Sequence, residues 1–242
     1  MQNNIPAIQL KEIDFCWGAK TTNFRIQVKD FRLEKSESVI LVGPSGGGKS
    51  TLLSLICGIV KPQNGNTKIL GKDLEKMSNQ EKDGFRADNI GIIFQQFNLL
   101  PYLSALDNVL LPLEFSKSRK TASGKTKEKL NEEAKRLLKS LGIEPETIDQ
   151  QKAATLSIGQ QQRVAAARAF IGSPNMIIAD EPTSSLDEET QDKFLEQLFS
   201  EKKTTGASLL MVSHNPRIAK RFDRVVKLEN ICVISHEKEK VK

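Results

Sequence analysis

Gly43-Pro44-Ser45-Gly46-Gly47-Gly48-Lys49-Ser50 decides how this sequence is read. It follows a continuous apolar run, Ser38-Val39-Ile40-Leu41-Val42, patterned as a buried strand, and precedes residues 49–59, patterned as a helix. Glycines let successive backbone N–H groups converge on phosphate oxygens with no Cβ in the way, and a helix N-terminus adds partial positive charge. In a G-x-x-x-x-G-K-[ST] loop the lysine lies between the β- and γ-phosphates and the hydroxyl ligates Mg²⁺. Lys49 and Ser50 occupy those places, with Gly43, Pro44, Ser45, Gly46, Gly47, Gly48 and Thr51 around them. A nucleotide carried as its magnesium complex is the expected ligand.

The second half of a phosphoryl-transfer site is Met176-Ile177-Ile178-Ala179-Asp180-Glu181. An apolar strand here delivers two carboxylates to its C-terminal end, where ligands bind in open α/β sheets. Asp180 is placed to hold Mg²⁺ and Glu181 to polarise the attacking water. Taken alone, such a strand end would be an ordinary pair of solvated acids. The glycine loop upstream is what favours the chemical reading.

Outward from these motifs, short runs such as Ile8-Gln9-Leu10 and Phe24-Arg25-Ile26-Gln27-Val28 alternate as strands, and Asn64-Gly65-Asn66 reads as a turn between short strands. Residues 90–94 form another apolar strand. Residues 127–141 and 160–170 have helical spacing, 188–200 a helix, 208–212 a strand and 216–222 a short helix. Residues 225–228 and 231–234 suggest a closing hairpin around Glu229-Asn230. Residues 117–129, with six basic side chains and one acid, read as an exposed loop running into a helix. The expectation is an α/β fold: a P-loop NTPase core with an N-terminal antiparallel β subdomain and an inserted helical subdomain. A single domain over 5–235 would have its core at about 5–94 and 170–235, its helical subdomain at about 95–169, and a frayed tail at 236–242.

Composition narrows the function classes without choosing one. Among 242 residues, 36 Lys+Arg against 30 Asp+Glu leave a formal charge of +6, modest for this length. One Trp and one Tyr offer no aromatic-and-basic stripe, so no nucleic-acid partner is expected. The apolar run at 52–60 is interrupted by Ser54, Cys57 and Gly58 and falls far short of the ~20 residues that cross a bilayer. Met1-Gln2-Asn3-Asn4 lacks the basic and apolar regions of a secretory leader. Cys16, Cys57 and Cys232 show no C-x-x-C spacing, so neither a disulfide framework nor a zinc site is expected.

The motifs between and after the two phosphate elements resemble those of an ATP-binding cassette (ABC) protein, over roughly residues 8 to 230. Leu156-Ser157-Ile158-Gly159-Gln160-Gln161-Gln162-Arg163 resembles the family signature, usually Leu-Ser-Gly-Gly-Gln. Phe94-Gln95 is similar to the Q-loop, Ser184-Ser185-Leu186-Asp187 to the D-loop, and Val212-Ser213-His214 to the switch histidine. Trp17 falls where the family places an aromatic that stacks on adenine; its other reading is a core anchor. Asp187 has a second role open to it, as N-cap of the helix that begins at Glu188.

The resemblance implies an Mg²⁺-dependent ATPase with Glu181, His214, Lys49 and Gln95 as catalytic residues. ATP would contact Trp17, residues 43–51, Gln95 and Asp180, with Ser50, Gln95 and Asp180 on the metal. Ser157, Gly159 and Gln160 would reach the γ-phosphate bound to a second cassette, so a homodimer around two ATP is implied. Ile158 departs from the family glycine, and is expected to point away from the phosphate. The stretch from Phe97 to Val109 is similar to cassettes of the lipoprotein-release, macrolide-efflux and cell-division type. In that group a groove receives a short cytoplasmic helix of an integral membrane permease. Phe97, Leu99, Leu100 and Leu103 could line such a groove, or could be ordinary core. The implied location is cytoplasmic, on the inner face of a bacterial membrane. The alternative is a soluble ABC ATPase acting on nucleic acid or the ribosome, whose long insertions or second cassette are not visible here.

Overall fold

The computed structural model describes residues 5–18, 23–144 and 151–237. The chain forms two compact units, Met1–Lys82 with Leu210–Lys242, and Asp83–Leu209.

In the first unit, β1 (Ile8–Trp17), β2 (Asn23–Leu33), β4 (Asn64–Ile69), β5 (Lys72–Asp73) and β10 (Cys232–Glu237) make an antiparallel sheet in the order β10-β2-β1-β4-β5. The buried residues of β1 are Ile8, Leu10, Ile13 and Phe15, a pattern that slips by one residue after Leu10. A strand of strict period two would turn Ile13 and Phe15 to the wrong face. Glu12 absorbs the extra residue in a left-handed conformation (φ 49), and the β1–β4 register shifts between Lys11 and Asp14. Gly65 faces this bulge: a Cβ there would stand 2.3 Å from the Glu12 carbonyl oxygen. Asn64-Gly65-Asn66 is therefore the start of a strand and not the turn expected, its glycine required by close backbone approach.

The same unit holds β3 (Ser38–Val42), α1 (Lys49–Ile56) and β9 (Arg224–Lys227), with β3 and β9 pairing in parallel, Ile40 opposite Val225. α1 stops at Ile56, short of the expected residue 59, as Gly58 takes a left-handed conformation (φ 63) two residues on. The expected closing hairpin is absent. β9 and β10 belong to different sheets, and Leu228–Ile231 forms a single helical turn between them, so Glu229-Asn230 never makes a reverse turn.

The second unit contains the parallel pair β6 (Ile90–Ile93) and β7 (Met176–Asp180), with Ile92 opposite Ile178. Between them lie α3 (Ala105–Leu110), α4 (Lys117–Ser123), α5 (Lys127–Ser140) and α6 (Ile158–Phe170); α7 (Glu188–Thr205) follows β7. α6 is buried along Val164, Ala165, Ala166 and Ala167, and the alanines let it lie close on β6. A Cβ on Gly91 would come within 2.1 Å of the Ala169 carbonyl oxygen. The chain passes between the units within α2 (Asn79–Asn89) and within the fully buried strand β8 (Ser208–Ser213).

Residues 117–129 are mostly exposed and run into a helix as expected, but 117–123 are helical and not a loop, and one of their basic side chains is buried. Ser116 caps α4, and Arg119 is 3% exposed. Its Nε donates to the Ile171 carbonyl at 2.7 Å and Nη2 to the Ala169 carbonyl at 2.9 Å, which satisfies acceptors at the C-terminus of α6. Burial lowers the Arg119 pKa to about 10. Arg119→Ala removes these donors and leaves the carbonyls dry. The expected loss is about 2–4 kcal/mol of unfolding free energy, read as a lower urea midpoint at unchanged slope.

Of the tail expected at 236–242, residues 236 and 237 belong to β10; residues 238–242 lie outside the described residues, as do 145–150.

Candidate functional site

In the first unit the glycine loop closes around the Lys49 side chain. Gly46 (φ 74) and Gly48 (φ 77) are left-handed, and the Gly47 N–H donates to the Pro44 carbonyl at 3.1 Å. Lys49 is 7% exposed, and its Nζ donates to the carbonyls of Gly43 at 3.1 Å and Pro44 at 2.9 Å. The ammonium is thus held by the loop it follows. Gly48 is the N-cap of α1 and makes no side-chain cap bond, and the N-terminus of such a helix favours an anion. A Cβ on Gly48 would come 2.9 Å from Phe24 Cζ, and one on Gly46 would meet nothing within 4 Å. The loop therefore packs on the β-sheet at one glycine and opens to solvent at another. This arrangement fits a polyphosphate.

Trp17 is 47% exposed, which sets aside the core-anchor reading. Phe15 packs against it edge-on at 5.1 Å, and Trp17 Nε1 donates to Thr51 Oγ1 at 3.2 Å. An accessible indole is thereby tethered to the first turn of α1. His214 is exposed directly after the buried strand β8, and Ser213 Oγ accepts from the Asn215 N–H at 3.0 Å.

The second unit carries the remaining candidates. Asp180 is half-buried at the end of β7, and Glu181 follows at 9% exposure in a left-handed conformation (φ 45). A non-glycine residue in that region is held by its surroundings. Here the turn is braced on both sides. The Ser184 N–H donates to the Glu181 carbonyl at 3.2 Å, and Gln162 Nε2 of α6 donates to the Pro182 carbonyl at 2.7 Å. Gln191 of α7 adds a third brace, donating from Nε2 to Thr183 Oγ1 at 2.7 Å.

At the N-terminus of α6, Ser157 and Gln160 form a reciprocal capping box: the Gln160 N–H donates to Ser157 Oγ at 3.3 Å, and the Ser157 N–H to Gln160 Oε1 at 2.8 Å. Ile158 is the first helical residue and 56% exposed. Gly159 leaves 3.2 Å between a Cβ and Nη1 of Arg163, which itself donates to the Gly159 carbonyl. Asp187 caps α7, accepting from the Thr190 N–H at 2.9 Å, and this bond holds its carboxyl below the ordinary value.

Gln95 is exposed just beyond β6. Two readings stood open for the residues after it, groove lining and ordinary core. Phe97 is 7% exposed and belongs to the core, because its left-handed backbone (φ 59) turns the ring inward; Leu99, Leu100 and Leu103 are half-buried. A cavity of about 330 Å³ in this unit is lined by Phe94, Asn98, Pro112, Phe115, Arg119 and Arg168, among others.

The structure therefore groups Trp17, residues 43–51 and His214 in one unit, and Gln95, Ser157, Gly159, Gln160, Asp180 and Glu181 in the other. Sequence reasoning missed Gln162 and Arg168. Both bind backbone carbonyls, and no motif spacing announces that.

Residues 26–184 match the family model described as ABC transporter. An uncharacterised ABC transporter ATP-binding protein of Mycobacterium tuberculosis is 39% identical over 232 residues, 94% of this chain and 88% of that protein. The lipoprotein-releasing system ATP-binding protein LolD of Novosphingobium aromaticivorans is 36% identical over 225 residues, 92% of this chain and 96% of its own. Among solved structures, a dimeric ATP-binding cassette in a post-hydrolysis state with ADP and Pi superimposes with a TM-score of 0.78 at 33% identity, covering 97% of this chain and all of that one (100%).

Proposed function

This chain belongs to the ABC transporter family of ATP-binding cassettes, and from that premise we propose how its residues bind and hydrolyse ATP on behalf of a membrane permease. The observation that supports it most directly is the Lys49 ammonium held inside a glycine loop whose helix has no side-chain cap. That loop binds the β- and γ-phosphates, and Trp17 offers an exposed π-face to adenine. Ser50, Asp180 and Gln95 would hold Mg²⁺, which would neutralise charge on the phosphate oxygens. Glu181 takes the proton from the attacking water, and His214 orients that water and the γ-phosphate.

The signature segment completes the site of a second copy. With Ser157 and Gln160 engaged in their capping box, the N-terminus of α6 presents Gly159 and the Ser157 hydroxyl to an incoming γ-phosphate. Two copies of a cassette spanning residues 5–235 then close around two ATP molecules and separate after hydrolysis. Among the described residues no helix is long and apolar enough to cross a membrane. The permease in this reading comes from the likeness to ATP-binding subunits such as the lipoprotein-releasing system protein LolD. The cavity that Phe94, Pro112 and Phe115 help to line, with Asp83, Arg86 and Arg168 among the polar residues of its wall, is the place proposed for contact with that partner. Export, lipoprotein extraction or force transmission at the cytoplasmic face of a bacterial membrane is the reading this supports.

The test is phosphate release by the purified chain. Turnover is expected with ATP and Mg²⁺, and EDTA in excess of the metal is expected to reduce it at least ~10²-fold, restored by added Mg²⁺. Metal-independent turnover, or none under any condition, would overturn the reading.

A further inference from the structure

We infer that Arg168 is a positioning residue for hydrolysis, clamping the turn that presents Gln95; this rests on the role proposed above for Gln95. After β6 the chain makes a tight reversal. The Phe97 N–H donates to the Phe94 carbonyl at 3.0 Å, and the Asn98 N–H to the Gln96 carbonyl at 2.6 Å. The reversal places two consecutive non-glycine residues, Phe97 (φ 59) and Asn98 (φ 50), in the left-handed region. Asn tolerates that region, whereas Phe does not favour it, so the turn must be held from outside.

Arg168 supplies the hold. It is 9% exposed on α6, and its planar guanidinium donates to both strained residues at once, Nη2 to the Phe97 carbonyl at 2.5 Å and Nη1 to the Asn98 carbonyl at 2.6 Å. Two neutral carbonyls are a poor exchange for the solvation of a cation, and burial holds the guanidinium below its ordinary pKa. An apolar side chain would fill the space at lower cost. What it could not do is fix two adjacent carbonyls in one plane. The clamp acts where Gln95 and Gln96 stand exposed, between the bond at Phe94 and the bonds at Phe97 and Asn98. Arg168 also lies on the helix that Ser157 caps and whose first turn holds Gly159, roughly 13 to 17 Å away along the axis at about 1.5 Å per residue, so one rigid element carries both the signature and the Gln95 turn.

A kinetic double-mutant cycle on the full chain separates positioning from bulk stability. Arg168→Met is expected to lower kcat by about tenfold with KM for ATP changed less than about twofold, the pattern of a lost transition-state interaction. In a Gln95→Ala background the same change is expected to lower kcat less than about twofold, because the group being positioned is gone. Arg168→Lys, which keeps a donor without the planar fork, is expected to fall between wild type and Arg168→Met. If Arg168→Met fails to fold, the cycle is run with Arg168→Lys. Equal losses in both backgrounds, or a lower melting temperature with kcat intact, would overturn the clamp alone. If Gln95→Ala leaves kcat unchanged, the Gln95 role fails and the clamp with it.

Discussion

Glu181→Gln is expected to lower the steady-state ATPase rate by about 10²- to 10³-fold while leaving the affinity for ATP within about threefold of wild type. The two side chains are nearly isosteric, and both must occupy the left-handed turn after β7 (φ 45), so the braces from Gln162 to Pro182 and from Gln191 to Thr183 should survive. What disappears is the ability to take a proton. Glu181 is 9% exposed, and bulk water cannot readily substitute as base at a site so enclosed. With cleavage blocked, ATP should hold the two cassettes together. The variant should elute as a dimer with Mg²⁺-ATP and as a monomer with ADP, and wild type is expected to dimerise only transiently. Single-turnover phosphate release and size-exclusion chromatography read the two effects separately. A rate within threefold of wild type would remove Glu181 from its role as base. A slow rate without dimer would instead point to a damaged turn.

The parts of this protein that were legible in its sequence are those in which neighbouring residues act on one another. Residues 43–50 carry their own context, a buried strand before and a helix after, and the glycines at 46 and 48 take the left-handed angles the loop demands. The Asp187 cap is likewise complete within four residues, whereas the Ser157–Gln160 box sits at a helix start two residues ahead of the one expected at residue 160. Illegible features depend on distant partners. The slip in β1 is visible as the spacing 8, 10, 13, 15, yet its resolution needs Gly65 on the neighbouring strand to admit the Glu12 bulge. Residues 225–234 look like a hairpin locally, but β3 and β2 offer each strand a different partner. Arg119 and Arg168 illustrate the same limit at single residues. Composition places a basic side chain in solvent, whereas here each guanidinium is buried against backbone carbonyls some 50 to 70 positions away, as with Arg119 to Ile171 (52) and Arg168 to Asn98 (70). The choice between groove and core at Phe97 was illegible for a related reason: it turns on a left-handed backbone step (φ 59) and on burial at 7% exposure, which no local pattern announces.

Lys49→Met should have the opposite signature to Glu181→Gln, weakening ATP binding by about 10²-fold or more and abolishing turnover at any practical concentration. Charge-assisted bonds to phosphate are worth roughly 1.5–3 kcal/mol each, and about 2.7 kcal/mol corresponds to a hundredfold. The substitution also removes the donor on which the Gly43 and Pro44 carbonyls close, at 3.1 and 2.9 Å, so part of the loss comes from a loop no longer preorganised around its ligand. Lys49→Arg should not rescue binding. The guanidinium is a broad planar fork, and Lys49 is 7% exposed in a loop already in contact with Phe24 through Gly48. The chain provides its own reporter, since Trp17 is its single tryptophan and donates from Nε1 to Thr51 Oγ1 on the first turn of α1. Titration of Trp17 fluorescence with ATP should give a saturable change in wild type and in Glu181→Gln, and none below millimolar ATP in Lys49→Met. If Lys49→Met retains wild-type affinity, the loop is not the phosphate site. If it loses affinity and Glu181→Gln does not, the two units divide the work, with capture assigned to the glycine loop and cleavage to the end of β7.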